Sequence, residues 1–290
     1  MPLLGAKALM LYANNPTDPA AKAAKSSSRR LAATLAFAAF TGPNPRICKG
    51  SSASATAASS GADMNGKAAQ KAAAKILKRL IVFGAGHFGV SEAQIEFRDN
   101  RVCVGDRDFD FAEFVQLAWA NRISLSATGY YRTPKINYDR ASFSGRPFYY
   151  FAYGAAVTEV VVDTLTGESR ILRTDILHDC GDSLNPAIDL GQIEGGFIQG
   201  VGWLTTEELV WDDTGRLRTH APSTYKIPAC SDRPDIFNVA LWDGENREDT
   251  IYRSKAVGEP PLLLGCATLF AIRDAIAAAR KATETEERPV

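Results

Sequence analysis

The sequence has few of the features that mark metal-binding proteins. Its five cysteines stand far apart without a C-x-x-C pair, which removes the usual zinc and iron–sulfur spacings. Its three histidines, His87, His178 and His220, form no H-x-x-x-H or H-x-x-C arrangement. We therefore assign them no metal role and expect structural histidines with satisfied ring nitrogens. The odd cysteine count argues against a disulfide framework and favours a reducing, cytoplasmic setting.

Charge and hydropathy exclude two further classes. Lys plus Arg and Asp plus Glu number 33 each, so no basic excess is available to neutralise the phosphates of a nucleic acid. No run of about eighteen apolar residues occurs, so we expect no membrane span. The nearest approach, Leu31 to Phe40, follows two arginines but starts deep in the chain and lacks an A-x-A cleavage site. The 46% of hydrophobic residues is enough for a substantial core.

Residues 1–50 differ in composition from the rest of the chain. Ala, Ser and Lys dominate, Pro16, Pro19, Pro43 and Pro45 interrupt, and no period of two or 3.6 persists. We expect this segment to be disordered, or to derive from a shifted reading frame. The folded region is expected to comprise residues 51–290.

The patterns after residue 51 predict an α+β fold of mixed helices and antiparallel hairpins. A glycine pattern at Gly84, Gly86 and Gly89 matches G-x-G-x-x-G, but strand-like alternation follows it where a dinucleotide-binding fold needs a helix. We interpret these glycines as a helix exit. The predicted elements are a helix with Asp63 as N-cap, a hairpin turning at Asp99 and Asn100, a helix over Phe111 to Ala120, a hairpin of Tyr149 to Asp163 with Arg170 to Asp179, and helices over Asp189 to Leu204 and after Cys266.

A glycine-rich helix surrounds Gln192. Five glycines fall between Asp189 and Leu204, each costing roughly 1 kcal/mol against alanine in a helix. Such glycines indicate the close approach of another backbone or of a ligand. The Gln192 amide can read a donor and an acceptor on a flat heterocycle, although spacing alone favours a surface glutamine.

Two further groups have a functional and an ordinary interpretation. Glu259 precedes two prolines, which disfavour the helical region for Glu259 itself and predict an extended, stiff backbone at the start of a helix. It is either a base or a solvated N-terminal acid. Thr56, Ser59 and Ser60 precede a helix, where their hydroxyls either cap it or bind a ligand.

Five stretches taken together are more specific than any one of them. They resemble, in this order, the C-terminal part of the molybdopterin-binding subunit in the xanthine dehydrogenase family of molybdenum hydroxylases, over about residues 54 to 282. The stretches are T-A-A-S-S-G-A-D-M-N-G, L-S-A-T-G-Y-Y-R-T-P, D-C-G-D-S-L-N-P-A-I-D-L-G-Q-I-E-G-G-F-I-Q-G, P-S-T-Y-K-I-P and S-K-A-V-G-E-P-P.

This resemblance implies a chemistry and a set of site residues. In the family, the glutamate of G-E-P-P is the general base, which matches Glu259, and the substrate is a purine such as xanthine. A molybdenum ion is held on a pterin dithiolene rather than by protein side chains. The residues that match the family's cofactor contacts are Thr56, Ala57, Ala58, Ser59, Ser60 and Gln192.

The resemblance also implies partners and alternatives. The family's subunit is several hundred residues longer, so this chain is expected to be a fragment, inactive by itself. The iron–sulfur and flavin centres lie in other domains or subunits, which implies a hetero-oligomer working in purine catabolism. An aldehyde oxidase-type hydroxylase has the same base, because the residues that select a purine belong to the absent part. A non-catalytic scaffold that binds sibling subunits is the third alternative.

Overall fold

The computed structural model describes residues 5–9 and 59–286, with the backbone alone described for 5–9 and 282–286. Strand β1, Gly5–Leu9, falls in the compositionally unusual N-terminal segment and was not predicted from the sequence. The other residues of that segment lie outside the described part, so their predicted disorder stays a prediction.

The described residues divide into two compact units. The N-terminal unit comprises residues 59–149 and 250–252, and the C-terminal unit comprises residues 5–9, 150–249 and 253–286. A 3₁₀ turn, Ile251–Arg253, stands at a boundary between the two units in the sequence.

The N-terminal unit packs two helices on a three-stranded meander. Strands β2, β3 and β4 pair in sequence order, and β5 and β6 form a separate two-stranded ribbon. The elements are a π-helical turn Ala62–Gly66, α1 Lys67–Phe88, a 3₁₀ turn Glu92–Gln94, β2 Ile95–Arg98, β3 Arg101–Val104, β4 Arg107–Asp110, α2 Phe111–Ala120, β5 Asn137–Asp139 and β6 Ser144–Arg146.

An aromatic core fills the N-terminal unit. Phe114 on α2 is fully buried and meets Phe97 of β2 edge to face, with ring centroids 5.7 Å apart. Helix α1 ends where Gly89 adopts a left-handed φ of 68°, which confirms the interpretation of the glycine pattern as a helix exit. The prediction of Asp63 as N-cap was wrong. The backbone is already helical at Gly61, so Asp63 lies inside the first turn.

The C-terminal unit is a four-stranded sheet covered by helices. The strand order is β1-β7-β8-β9, antiparallel except for the parallel pair β8 and β9. The elements are β7 Gly154–Val162, β8 Ser169–His178, α3 Pro186–Thr205, a 3₁₀ turn Cys230–Asp232, β9 Ile236–Leu241, a 3₁₀ helix Pro260–Gly265 and α4 Cys266–Glu286. Helices and antiparallel hairpins together confirm the predicted α+β class.

Helix α3 buries the stripe that its periodicity predicts. Ile193, Phe197 and Val201 are buried and pack with Ala156 of β7 and Ile176 of β8. The three residues recur every four positions, which places them on one face of a helix.

Helix α4 buries small residues instead of the large ones that share its spacing. Ala267, Ala271 and Ala275 pack toward the sheet, whereas Phe270 and Ile276 remain exposed. The span Pro260–Lys281 has a mean hydropathy of 1.7 in its most apolar window, and it is long enough to cross a membrane. Every eighteen-residue window of this span contains Arg273 and Asp274, so it is not an unbroken apolar run of that length, and the expectation of no membrane span stays a prediction. Its alanine face packs on β7, and 28% of the apolar window is buried.

Candidate functional site

Glu259 is exposed at the N-cap of the 3₁₀ helix that precedes α4. Its backbone is helical, with φ −93° and ψ −37°, so the predicted extended conformation was wrong. The Leu262 N–H donates to the Glu259 carbonyl at 3.1 Å. This hydrogen bond closes a turn and offsets the bias that a following proline imposes. The prediction that Glu259 stands just before a helix is confirmed.

Glycines on α3 let the segment after Glu259 approach closely. A Cβ at Gly200 would lie 2.1 Å from the Leu262 carbonyl oxygen, and one at Gly196 would lie 3.1 Å from Pro261 Cβ and 3.3 Å from the Gly258 oxygen. Only glycine permits such a backbone approach at Gly200. The predicted close approach of another backbone is therefore confirmed at both positions.

Gln192 lies one helical turn before Gly196 and is exposed. The neighbouring Gly191 and Gly195 have no described heavy atom within 4 Å of an added Cβ, so space is open on that side of α3. Asn185 caps the helix through its side-chain oxygen, which accepts from the Ile188 N–H. The structure thus brings Gln192 and Glu259 onto two packed elements of the C-terminal unit.

Ser59 and Ser60 belong to the N-terminal unit and lead into the π-helical turn. Ser59 has a left-handed φ of 55°, which is unusual for a residue with a side chain. The Ser60 carbonyl accepts from Met64 N–H at 2.9 Å. In the same turn, the Asn65 Oδ1 is buried and has no hydrogen-bond partner among the described residues. Thr56, Ala57 and Ala58 lie outside the described residues, so their predicted roles stay predictions.

His178 is a buried group that the motif analysis did not single out for the site. It ends β8 at 1% exposure, and neither ring nitrogen has a hydrogen-bond partner in the described part of the chain. The expectation of a satisfied histidine was therefore wrong for His178. Burial lowers its pKa from 6.5 to about 4, opposed in part by the charge of Asp179. The period of two along β8 was a usable signal, since Thr174 and Ile176 face the same way and are buried.

The neighbouring Cys180 is also buried, and its thiol is unreactive. Burial raises the pKa of its thiol to about 11, so the sulfur stays protonated at neutral pH. Over residues 5–9 and 59–286, no three His, Cys, Asp or Glu side chains cluster as ligands for a metal ion.

Comparison with known proteins gives concordant matches. A family profile described as a molybdopterin cofactor-binding domain matches residues 48–234. Xanthine dehydrogenase/oxidase from Felis catus is 47% identical over 227 residues, which cover 78% of this chain and 16% of that protein. Aldehyde oxidase 2 from Mus musculus is 44% identical over 233 residues, covering 80% of this chain and 16% of that protein.

The fold is also found among solved structures. Quinoline 2-oxidoreductase from Pseudomonas putida 86 matches with a TM-score of 0.63 and 25% identity, covering 81% of this chain and 31% of that chain. The chain spans about 16% of the length of the curated relatives that it matches. The resemblance predicted from the five motifs is thereby confirmed: the chain belongs to the molybdopterin cofactor-binding domain family.

Proposed function

We propose that this chain carries the C-terminal part of the cofactor-binding domain of a molybdenum hydroxylase that oxidises a purine such as xanthine. Glu259 is the general base of the reaction. The observation that carries the proposal is that Glu259 is exposed on a segment packed against Gly196 and Gly200, the glycine face of α3. Gln192 is also exposed and lies one helical turn before Gly196. The 47% identity to xanthine dehydrogenase/oxidase supports the purine substrate.

The described residues fit a pterin. Gln192 offers an amide donor and an acceptor beside the open space at Gly191 and Gly195, where a flat heterocycle can approach. The buried, unpartnered Asn65 oxygen supplies an acceptor in the turn that follows Ser60. In this proposal the residues that hold the cofactor are Thr56, Ala57, Ala58, Ser59, Ser60 and Gln192.

The way in which Glu259 is held supports the proposed base role. A carboxylate accepts a proton at an oxygen only when that oxygen reaches the reacting group, and the 3₁₀ turn fixes the Glu259 backbone for this purpose. When bound, molybdenum on its pterin supplies the two-electron oxidation, and no protein metal ligand is needed. Iron–sulfur and flavin centres in other domains or subunits take the electrons onward. The functional form is therefore a hetero-oligomer, and we place it in the cytoplasm.

An aldehyde substrate is the second candidate. Aldehyde oxidase 2 is 44% identical to this chain, close to the 47% of xanthine dehydrogenase/oxidase. The two proteins are therefore nearly equal in similarity over this region, which carries the base but not the residues that grip a purine.

The test is reconstitution. The chain is co-expressed with a polypeptide that supplies the remaining 84% or so of a xanthine dehydrogenase relative, and the purified complex is assayed with xanthine and with an aldehyde. We expect xanthine turnover in the complex and none with either polypeptide alone. Aldehyde turnover without xanthine turnover favours the second candidate. A loaded complex that oxidises neither substrate supports a scaffold role and contradicts the proposal.

A further inference from the structure

A half-buried ion pair lies just before the segment that carries Glu259. The Lys255 Nζ lies 2.5 Å from the Asp179 Oδ2, and the side chains are only 8% and 19% exposed. The same ammonium group lies 5.0 Å from the centre of the Tyr153 ring. Lysine is almost never buried without a partner, because desolvation of its charge is unfavourable.

This pair differs in exposure from two ion pairs on the sheet of the same unit. The ion pairs Arg170 with Asp235 and Arg173 with Asp175 lie on the same sheet, and each side chain in them is at least 38% exposed. The Lys255 pair is less exposed than these two and lies where the chain leaves the sheet. Exposed ion pairs such as these two contribute little to stability.

Backbone hydrogen bonds fix the same point. Lys255 N–H donates to the Cys180 carbonyl at 2.7 Å, and Ala256 N–H donates to the Tyr150 hydroxyl at 2.7 Å. Downstream, Pro261 and Leu262 are held against Gly196 and Gly200 of α3.

Glu259 therefore stands between two fixed points. It follows Lys255 by four residues and precedes Leu262 by three, and its own side chain is exposed. The backbone on either side sets the position from which the Glu259 side chain starts.

We propose that Lys255, through its half-buried ion pair with Asp179, is a positioning residue that holds the Glu259 turn in place. The pair ties residues 254–256 to the end of β8, and the glycine face of α3 fixes the other end of the turn. The functional consequence rests on the proposed role of Glu259 as a base. The structural consequence, a held turn, does not depend on that role.

The test uses amide hydrogen exchange in the full chain. Leu262 N–H is the reporter, because its hydrogen bond to Glu259 closes the turn. The double variant Lys255→Met/Asp179→Asn removes both charges and leaves no buried charge unpaired. We expect Leu262 to exchange at least tenfold faster in it, while the α3 amides of Phe197 and Val201 keep their native rates.

Two controls separate positioning from general loosening. Lys255→Arg keeps the cation, and Arg170→Met removes an exposed pair on the same sheet. Both are expected to leave Leu262 exchange near native. The proposal is overturned if Leu262 exchange is unchanged in the double variant, if α3 accelerates equally, or if Lys255→Arg exchanges as fast as the double variant.

Turnover of the reconstituted enzyme keeps the two proposals apart. The double variant is expected to lower kcat by about 10- to 100-fold at equal molybdenum content, with KM little changed, since a misplaced group costs turnover rather than binding. If Leu262 exchanges fast in the double variant and the Glu259→Gln enzyme is fully active, the base role alone is refuted. Native exchange in the double variant together with an inactive Glu259→Gln enzyme refutes the positioning role alone.

Discussion

His178 couples the stability of the C-terminal unit to pH. Its ring is buried at the end of β8 beside Gly154, where a Cβ would lie 2.7 Å from the His178 Nδ1. Among the described residues, no atom accepts a hydrogen bond from either ring nitrogen, so a charged ring would be buried without an acceptor. The neutral form is therefore the one that the fold accommodates.

The first prediction follows from the lowered pKa of His178. Between its ordinary pKa of 6.5 and about 4, the unfolded chain binds a proton that the folded chain does not. The free energy of unfolding is therefore full above pH 6.5 and falls as the pH decreases, by about 3 kcal/mol in total. Urea unfolding, monitored by amide exchange of β8 residues, gives the free energy of unfolding. Repeating it at several pH values measures the slope.

A matched pair of variants isolates the residue. His178→Phe removes the titrating ring from the buried site and is expected to flatten the slope between pH 6.5 and 4. His220→Phe makes the same change at an exposed histidine and should leave the slope unaltered. An unchanged slope in His178→Phe would show that other groups control the acid sensitivity.

Two glycines on one helix test the packing of α3 on the Glu259 segment. Gly200→Ala places a methyl group 2.1 Å from the Leu262 oxygen, whereas Gly195→Ala places it where no described atom lies within 4 Å. We expect Gly200→Ala to destabilise the C-terminal unit by about 1–3 kcal/mol through overpacking. Gly195→Ala should stabilise it by about 0.5–1 kcal/mol through helix propensity.

Chemical denaturation of both variants checks the comparison. Equal effects of the two substitutions would mean that the Leu262 backbone does not lie against α3 as the structure has it. Both variants replace glycine by alanine on the same helix, so they differ only in what the added methyl group contacts.

Periodicity predicted the elements whose burial follows from their own pattern. Helix α2 occupies Phe111–Ala120 as expected. Strand β7 lies within its predicted bounds, and β8 begins and ends one residue before the predicted strand. Local patterns could not predict the 3₁₀ turn at Glu259, because that turn depends on packing against Gly196 and Gly200 of another helix. They also missed the buried face of α4, which is made of alanines rather than large residues.

The candidate site was predictable only from motifs in combination. Residue types alone left Glu259 as either a base or an ordinary helix-start acid, and left Gln192 as either a ligand contact or a surface amide. The ion pair of Lys255 with Asp179 could not be foreseen, since the two residues are 76 positions apart and meet only in the fold.

At the scale of the whole molecule, exposed apolar side chains indicate association. Leu263 is 66% exposed and Trp203 is 59% exposed, each within three residues of the contact between Leu262 and Gly200. The chain spans about 16% of its curated relatives, so the proposed hetero-oligomer has ample surface to cover these groups.

We predict that the chain alone self-associates as its concentration rises, because it carries this uncovered apolar surface. Leu263→Ser/Trp203→Ser should shift the association to at least severalfold higher concentration in sedimentation velocity. Leu165→Ser is the matched control, since Leu165 is 74% exposed in the turn between β7 and β8. An equal effect of the control would indicate nonspecific association.

The central claim is that Glu259 is the general base, and turnover by Glu259→Gln in the reconstituted enzyme tests it most directly. Glu168→Gln, an exposed acid in the turn between β7 and β8, is the control. At equal molybdenum content, we predict that Glu259→Gln lowers kcat by about 10²- to 10⁴-fold, the range expected for loss of a base, and that Glu168→Gln has native kcat. Undiminished turnover by Glu259→Gln with the cofactor retained would contradict the account.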